Sequence, residues 1–260
     1  KLKAAPHIGG INRHKPKGFN FLDHGLKSIR IHIWHDWIFI NLNGKAKKFE
    51  DYAKPLIKKF EDIDFKKLKY AATLDFGKIN SNWKFLIENF IEPYHVQFVH
   101  KTTTNQPLKD HYTIVDGVCY GSGINVKEED EKNSNALSVT SRYLSLFPNF
   151  IIGNYFPNQI GVYLNVPISP GETIQKRKIY TSDGKNMTEE ESNTIKKIWW
   201  NVHKEDHKIC ERLQEGRSSP ASDHGGLLSP YWEKGVQAFQ KLIIDATMKN
   251  SKVKKGRKNV

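Results

Sequence analysis

The sequence predicts an α+β fold, an antiparallel sheet with long helices packed on it. Three observations carry that expectation. Residues 111–127, 139–168 and 173–181 are rich in β-branched and aromatic side chains, and turn pairs at Asp116-Gly117, Pro148-Asn149 and Pro157-Asn158 punctuate them. Residues 81–100 precede that block and are apolar on nearly every side, as a buried helix is. After the block, Thr188-Glu189-Glu190-Glu191 forms a capping box that opens a long amphipathic helix.

Taken in chain order, residues 1–20 are rich in Gly, Pro, His and Lys and read as loop. Residues 28–42 alternate apolar and polar around His35–Asp36, which predicts a hairpin of two short strands. A short helix is expected within 48–64 and a strand over 68–76. For the segment 81–100, Asn80 or Ser81 is the expected cap. Pro93 breaks its ladder, because proline has no N–H to offer the carbonyl of Asn89. The helix that begins at Thr188 is expected to reach about Gln214 and stop near Gly216. A last helix is expected to start with Ser229 as cap and Pro230 at the first helical position.

The 260 residues suffice for one large domain, or one domain with part of another, and 38% hydrophobic residues can fill a core. No apolar run approaches the ~20 residues that span a bilayer, and no signal peptide opens the chain. Neither a membrane nor secretion is therefore expected. Two cysteines, Cys119 and Cys210, are too few for a disulfide framework and point to a reducing, cytoplasmic setting. The net charge of +13 raises nucleic acid as a partner. However, the lysines are spread along the chain, and the densest basic run, 249–258, holds no aromatic residue to stack on bases. No nucleic-acid partner is expected. The chain starts at Lys1, and its only methionines are Met187 and Met248, so it is expected to be a piece of a longer protein.

Two features carry chemistry. His95 and His100 lie in an otherwise apolar segment, and imidazole is a good ligand for iron, zinc or copper. On an ideal helix residues five apart point about 140° away from each other. The pair can share a metal only where the helix is distorted, and Pro93 supplies a cause. The second feature is an acid on an apolar stripe. Ile195, Ile198, Trp199, Val202, Ile209, Cys210 and Leu213 define the stripe, and the position completing it is Asp206. A carboxylate there is costly unless a cation or strong donors meet it. Two histidines and one carboxylate form the facial triad of non-haem Fe(II) oxygenases. The plainer alternatives are a core-packed histidine pair, and an aspartate paired with Lys204, Lys208 or a buried arginine. His203 and His207 have the spacing of a zinc pair on a helix, but they flank the stripe, and the residues between them do not follow the zinc-protease pattern. They read as surface histidines or as supports for the ligands.

Asn82-Trp83-Lys84, Glu88-Asn89-Phe90, Glu92-Pro93-Tyr94-His95 and His100 resemble, in order and spacing, the signature of Rieske non-haem iron oxygenase α subunits. Glu205-Asp206, followed by Glu211 and Gln214, resembles the family's segment for the carboxylate ligand. The resemblance implies a helix-grip (START-like) catalytic domain over 45–260, preceded at 1–44 by the C-terminal remnant of a Rieske β domain. It implies that His95, His100 and Asp206 hold a mononuclear Fe(II). Glu92 would be the electron-transfer bridge to the Rieske cluster of a neighbouring subunit, where the family often has Asp. Asn89 and Tyr94 would orient the ligands. The family binds its 2Fe–2S cluster through Cys-x-His and Cys-x2-His pairs, and this chain has none. The cluster is therefore expected only in a part of the protein ahead of Lys1.

The same resemblance implies O2 and a small organic substrate, in the first place an aromatic one, to be hydroxylated, dihydroxylated or dealkylated. A reductase, with or without a ferredoxin, would supply electrons, and a homotrimer is expected. Leu144, Phe147, Phe150 and Tyr155 are candidates for the substrate pocket, or are otherwise ordinary core. The main rival is a metal-free helix-grip protein that encloses a small molecule or lipid. In that case the three ligands are dispensable for ligand uptake.

Overall fold

A computed structural model describes residues 2–104, 106–125, 140–181 and 186–255, with side chains as far as Met248. The chain divides into two compact units, Lys1–Phe49 and Glu50–Val260. The first unit contains the expected hairpin, β1 (Arg30–Trp34) paired with β2 (Trp37–Asn41). Its turn holds His35 at a positive φ of 53°. Ile31 pairs with Ile40 and Ile33 with Ile38, so one face of the hairpin carries four exposed isoleucines.

The second unit begins with α1, whose helix spans Phe49–Lys58, and β3 (Lys69–Ile79). It continues through α2 (Trp83–Ile91) and the single turn α3 (Val96–Val99). Six strands follow: β4 (His111–Asp116), β5 (Cys119–Asn125), β6 (Thr140–Leu146), β7 (Phe150–Tyr155), β8 (Gln159–Ser169) and β9 (Glu172–Thr181). Two helices close it, α4 (Glu189–Arg217) and α5 (Lys234–Lys255). The seven strands form one antiparallel sheet in the order β3-β9-β8-β7-β6-β5-β4. The α+β expectation holds. Among the described residues no helix is long and apolar enough to cross a membrane.

Helix α2 starts later than the sequence suggested, at Trp83, and the residues expected to cap it bind α4. The Ser81 hydroxyl donates to the carbonyl of Cys210 at 3.1 Å, and the Asn80 N–H donates to Glu211 at 3.1 Å. Asn82 caps instead, its side-chain oxygen accepting from the Lys84 N–H at 3.0 Å. The helix stops at Ile91 because the residue before a proline is pushed out of the helical region. Glu92 is accordingly extended, at φ −106° and ψ 139°.

The capping box of α4 forms as expected: the Glu191 N–H donates to the Thr188 hydroxyl oxygen at 3.2 Å, and the Thr188 N–H donates to Glu191 Oε2 at 2.8 Å. The last helix differs. The Ser229 hydroxyl oxygen accepts from the Trp232 N–H at 3.1 Å, and Glu233 accepts from the Ser229 N–H at 2.6 Å. These bonds hold 229–233 as a turn ahead of α5, which starts at Lys234.

The core fixes α2 from three sides. Ile87 and Ile91 pack with Tyr120, Ile151 and Tyr163 of the sheet and with Val236 and Phe239 of α5. Leu86 packs with Ile79 and Cys210, tying α2 to α4. Ile195 of α4 packs on Ala71, Ala72, Leu74 and Ile179 of the sheet. The C-terminal end of α2 therefore faces the middle of α4 across the sheet's helix-bearing side.

Candidate metal centre

The problem of two histidines five residues apart is solved by ending the helix. After the extended Glu92 the chain re-enters helical geometry for one turn only. His95 is the N-terminal cap of α3 and His100 its C-terminal cap, at ψ values of −29° and 47°. Their rings come to 5.3 Å, inclined by 72°. Asp206 approaches from α4, with Oδ1 3.0 Å from His100 Nε2 and 3.6 Å from His95 Nε2. One ligand atom from each of the three residues lies within 4.8 Å of the others.

A carboxylate holds the far nitrogen of each ring. His95 Nδ1 lies 2.6 Å from Glu92 Oε1, and the His95 N–H donates to Glu92 Oε2 at 3.1 Å. His100 Nδ1 lies 2.8 Å from Glu205 Oε2. A carboxylate accepts the Nδ1 proton and leaves the Nε2 lone pair turned to the centre, the tautomer a metal needs. Glu205 is itself fixed by the Thr103 hydroxyl, which donates to Oε2 at 2.5 Å. Asn89 Nδ2 donates to Asp206 Oδ1 at 2.8 Å. Sequence reasoning assigned Glu205 no role; its place next to Asp206 was the available signal. Replacing it with glutamine, which presents an ambiguous amide to Nδ1, is expected to weaken iron binding by about 10–100-fold, read by anaerobic Fe(II) titration.

Burial alone would lower the pKa of His100, but the hydrogen bonds and negative charges of Asp206 and Glu205 outweigh it and raise it to about 9. Burial alone would raise the Asp206 carboxyl. The hydrogen bond and charge of His100, foremost, hold it well below the usual carboxylate range. Without metal the centre is thus an ion pair of a protonated His100 and an ionised Asp206.

The cavity beside the centre has a volume of about 110 Å³. Phe90, Tyr143, Tyr155, Tyr163 and Trp199 form its aromatic wall. Of the four pocket candidates only Tyr155 lines it. Strand alternation explains two of the others: Tyr143, Ile151 and Tyr155 face the cavity, so their neighbours Leu144 and Phe150 point to the other face of the sheet. Phe147 lies beyond β6 and packs towards Phe239, with ring centres 6.4 Å apart.

Of the two places open to His203, the surface is excluded and the one beside the ligands holds; it is buried, and Arg177 Nη1 donates to its Nε2 at 3.0 Å. Arginine only donates, so the neutral ring keeps its proton on Nδ1, which faces Asp206 Oδ2 at 3.7 Å. Burial, then the Arg177 charge, push its pKa well down, so it stays neutral. His207 also lines the cavity, its Nε2 donating to Gln175 Oε1 at 2.8 Å. Tyr94 lies on the outer side of the turn, 44% exposed, with its ring edge-on to Phe98 at 5.7 Å. It braces α3 and is not bonded to Asp206 as Asn89 is.

Two imidazole nitrogens and one carboxylate oxygen beside a cavity are the donor set of mononuclear non-haem iron sites. The sequence matches the family model of the ring hydroxylating alpha subunit (catalytic domain) over residues 60–248, and the chain belongs to the Rieske-type non-haem iron oxygenase α-subunit family. Among curated relatives, it is 26% identical over 221 residues to the chloroplastic choline monooxygenase of Atriplex hortensis, covering 83% of this chain and 50% of that protein. The Spinacia oleracea enzyme of the same name is 23% identical over 226 residues, with the same coverage. The chain spans about half the length of these relatives. Among solved structures, the quaternary ammonium Rieske monooxygenase CntA in complex with an inhibitor superposes with a TM-score of 0.72 at 18% identity, covering 88% of this chain and 64% of that one. Naphthalene 1,2-dioxygenase with indole bound gives 0.58 at 17% identity, covering 82% and 58%. At such identities these two likenesses speak to the fold, that of Rieske oxygenase catalytic domains.

Proposed function

We propose that this chain is the catalytic part of an oxygenase that uses a mononuclear Fe(II) and O2 to hydroxylate, dihydroxylate or dealkylate a small organic substrate. The observation that carries the reading is the paired geometry of His95 and His100: each Nδ1 is tied to a glutamate, and each Nε2 is turned toward Asp206. A metal-free ligand-binding protein has no need of that arrangement. Iron held there would supply the activation of dioxygen. The chain's own residues fix the ligands, exclude water from the aromatic cavity and place the substrate beside the centre. The aromatic wall favours a planar, apolar substrate body.

Electrons would come from a Rieske 2Fe–2S cluster, for which these 260 residues hold no Cys-x-His or Cys-x2-His pair, supplied by a reductase with or without a ferredoxin. In this reading the unit Lys1–Phe49 is the end of that Rieske domain, and the assembly is a homotrimer. Glu92 is the proposed bridge. It touches His95 and also lines an outer groove between α2 and α5 together with Asn82 and Gln240, so it spans from ligand to surface.

Anaerobic titration of the chain with Fe(II) tests the reading. One iron per chain is expected, and its binding displaces the proton that His100 holds up to a pKa of about 9. Through His100 the apparent affinity is expected to rise about tenfold per pH unit between its ordinary pKa of 6.5 and about 9. The stability of the metal-free chain moves the other way. His100 is raised on folding, so its contribution is full below pH 6.5 and is lost as pH climbs through about 9. A chain that takes up no iron across this range, yet still binds a hydrophobic ligand, belongs to the metal-free alternative.

A further inference from the structure

The aromatic wall of the cavity already holds a cation. Arg177 of β9 is fully buried, and its guanidinium carbon stands 3.5 Å from the ring centre of Trp199, 4.7 Å from that of Tyr155 and 5.0 Å from that of Tyr163. The opposite side is closed by β8. A Cβ on Gly161 would stand 2.7 Å from Nη2 and 2.8 Å from Nε, so any side chain at 161 would displace the guanidinium from this position. Glycine on one side, tryptophan on the other and two tyrosines around them make a cation box, and its occupant is part of the chain.

This cation lacks an anion. Among the described residues no carboxylate pairs with Arg177. Its Nη1 donates to the neutral His203, while Nε and Nη2 have no hydrogen-bond partner. A buried, uncompensated charge is costly, and stacking on aromatic rings offsets only part of that cost. The acids near the cavity are engaged elsewhere: Glu92 and Glu205 hold the two histidines, and Asp206 belongs to the metal centre. No lysine or arginine lines the cavity itself; Arg177 stands behind its aromatic wall.

Tyr155, Tyr163 and Trp199 therefore contact Arg177 and also line the substrate cavity. A quaternary ammonium in the cavity would compete for rings whose attraction for cations is already in use, and would meet a like charge close behind them. A carboxylate would instead be drawn by the uncompensated positive charge behind those rings. We propose that Arg177 is a specificity-determining residue: it fills the aromatic box, turns away quaternary ammonium compounds and selects small organic anions bearing a carboxylate. That sets this chain apart from the choline-oxidising enzymes it resembles in sequence. The proposal rests on the reading above only in taking this cavity as the substrate site.

Calorimetric titration of the full chain with benzoate and with choline tests it, on both metal-free and Fe(II)-loaded protein. Benzoate is expected to bind at least about 10-fold more tightly than choline, and Arg177→Gln is expected to cut that ratio by about 10-fold, while Arg177→Lys retains it. Choline binding as tightly as benzoate to the unaltered chain overturns the proposal, and that comparison needs no variant to fold. An unchanged ratio in a folded Arg177→Gln chain, or binding of neither probe at millimolar concentration, overturns it too. Benzoate preference in a chain that takes up no Fe(II) refutes the oxygenase reading and leaves this one standing; iron uptake without the preference does the reverse.

Discussion

Asp206→Ala is expected to leave the chain unable to retain iron. The substitution removes one of the three ligand atoms gathered within 4.8 Å. It also takes the acceptor from Asn89 Nδ2 and the counter-charge from His100, the two contacts that organise the centre from either side. Altering a residue that merely orients a ligand costs about 10–100-fold in metal affinity, so losing the ligand itself is expected to cost more than about 100-fold. Iron per chain after anaerobic reconstitution and desalting reads the effect, with His95→Ala as a parallel case. Equal iron in the parent chain and in both variants would remove these residues from any metal site. Circular dichroism separates a lost site from a lost fold, and Asp206→Asn, which keeps the shape without the charge, should fall between the two.

Phe239→Ala is expected to destabilise the second unit by about 3–5 kcal/mol, the usual range for deleting a buried phenylalanine ring. Phe239 is fully buried, with its ring centre 5.6 Å from that of Tyr120 and 6.0 Å from that of Trp83. It shares a cluster with Ile87 and Ile91 of α2. The loss would be a large fraction of the ~5–15 kcal/mol that holds a typical domain together. Urea unfolding measures it. A change below about 1 kcal/mol would show that the cluster tolerates collapse around the gap and does not hold α2 in place. Because α2 carries Asn89 and leads into Glu92 and His95, weaker iron retention is expected to accompany the lost stability in Phe239→Ala.

Local patterns in the sequence translated well wherever the structure obeys local rules. The hairpin around His35–Asp36, the strands within 111–125 and 140–181 and the capping box at Thr188 all depend on alternation, turn residues or bonds between residues three apart. They went astray at helix starts and where a distant partner buries a residue. Ser81 does not cap α2; its hydroxyl donates to the carbonyl of Cys210, 129 positions away. Ser229 closed a turn with Trp232 and Glu233, and α5 starts beyond it. His203 flanks an apolar stripe on α4, and nothing local to it reveals the buried arginine on β9 that makes it an interior residue. Among the stripe residues themselves, Ile198 and Leu213 are exposed.

By itself the sequence determined the candidate ligand types and their order along the chain, His95, His100 and Asp206, and the break at Pro93 that lets the pair converge. Those follow from residue chemistry and from proline's effect on its neighbours, both of which act within a few positions. Only the tertiary structure decided that Glu92 and Glu205 hold the outer nitrogens, that Asn89 holds Asp206 and that Arg177 fills the aromatic box. Each of these contacts except that of Glu92 joins different secondary-structure elements. Distance and orientation across a packed core come from how α2, α4 and the sheet interlock, not from spacing along one chain.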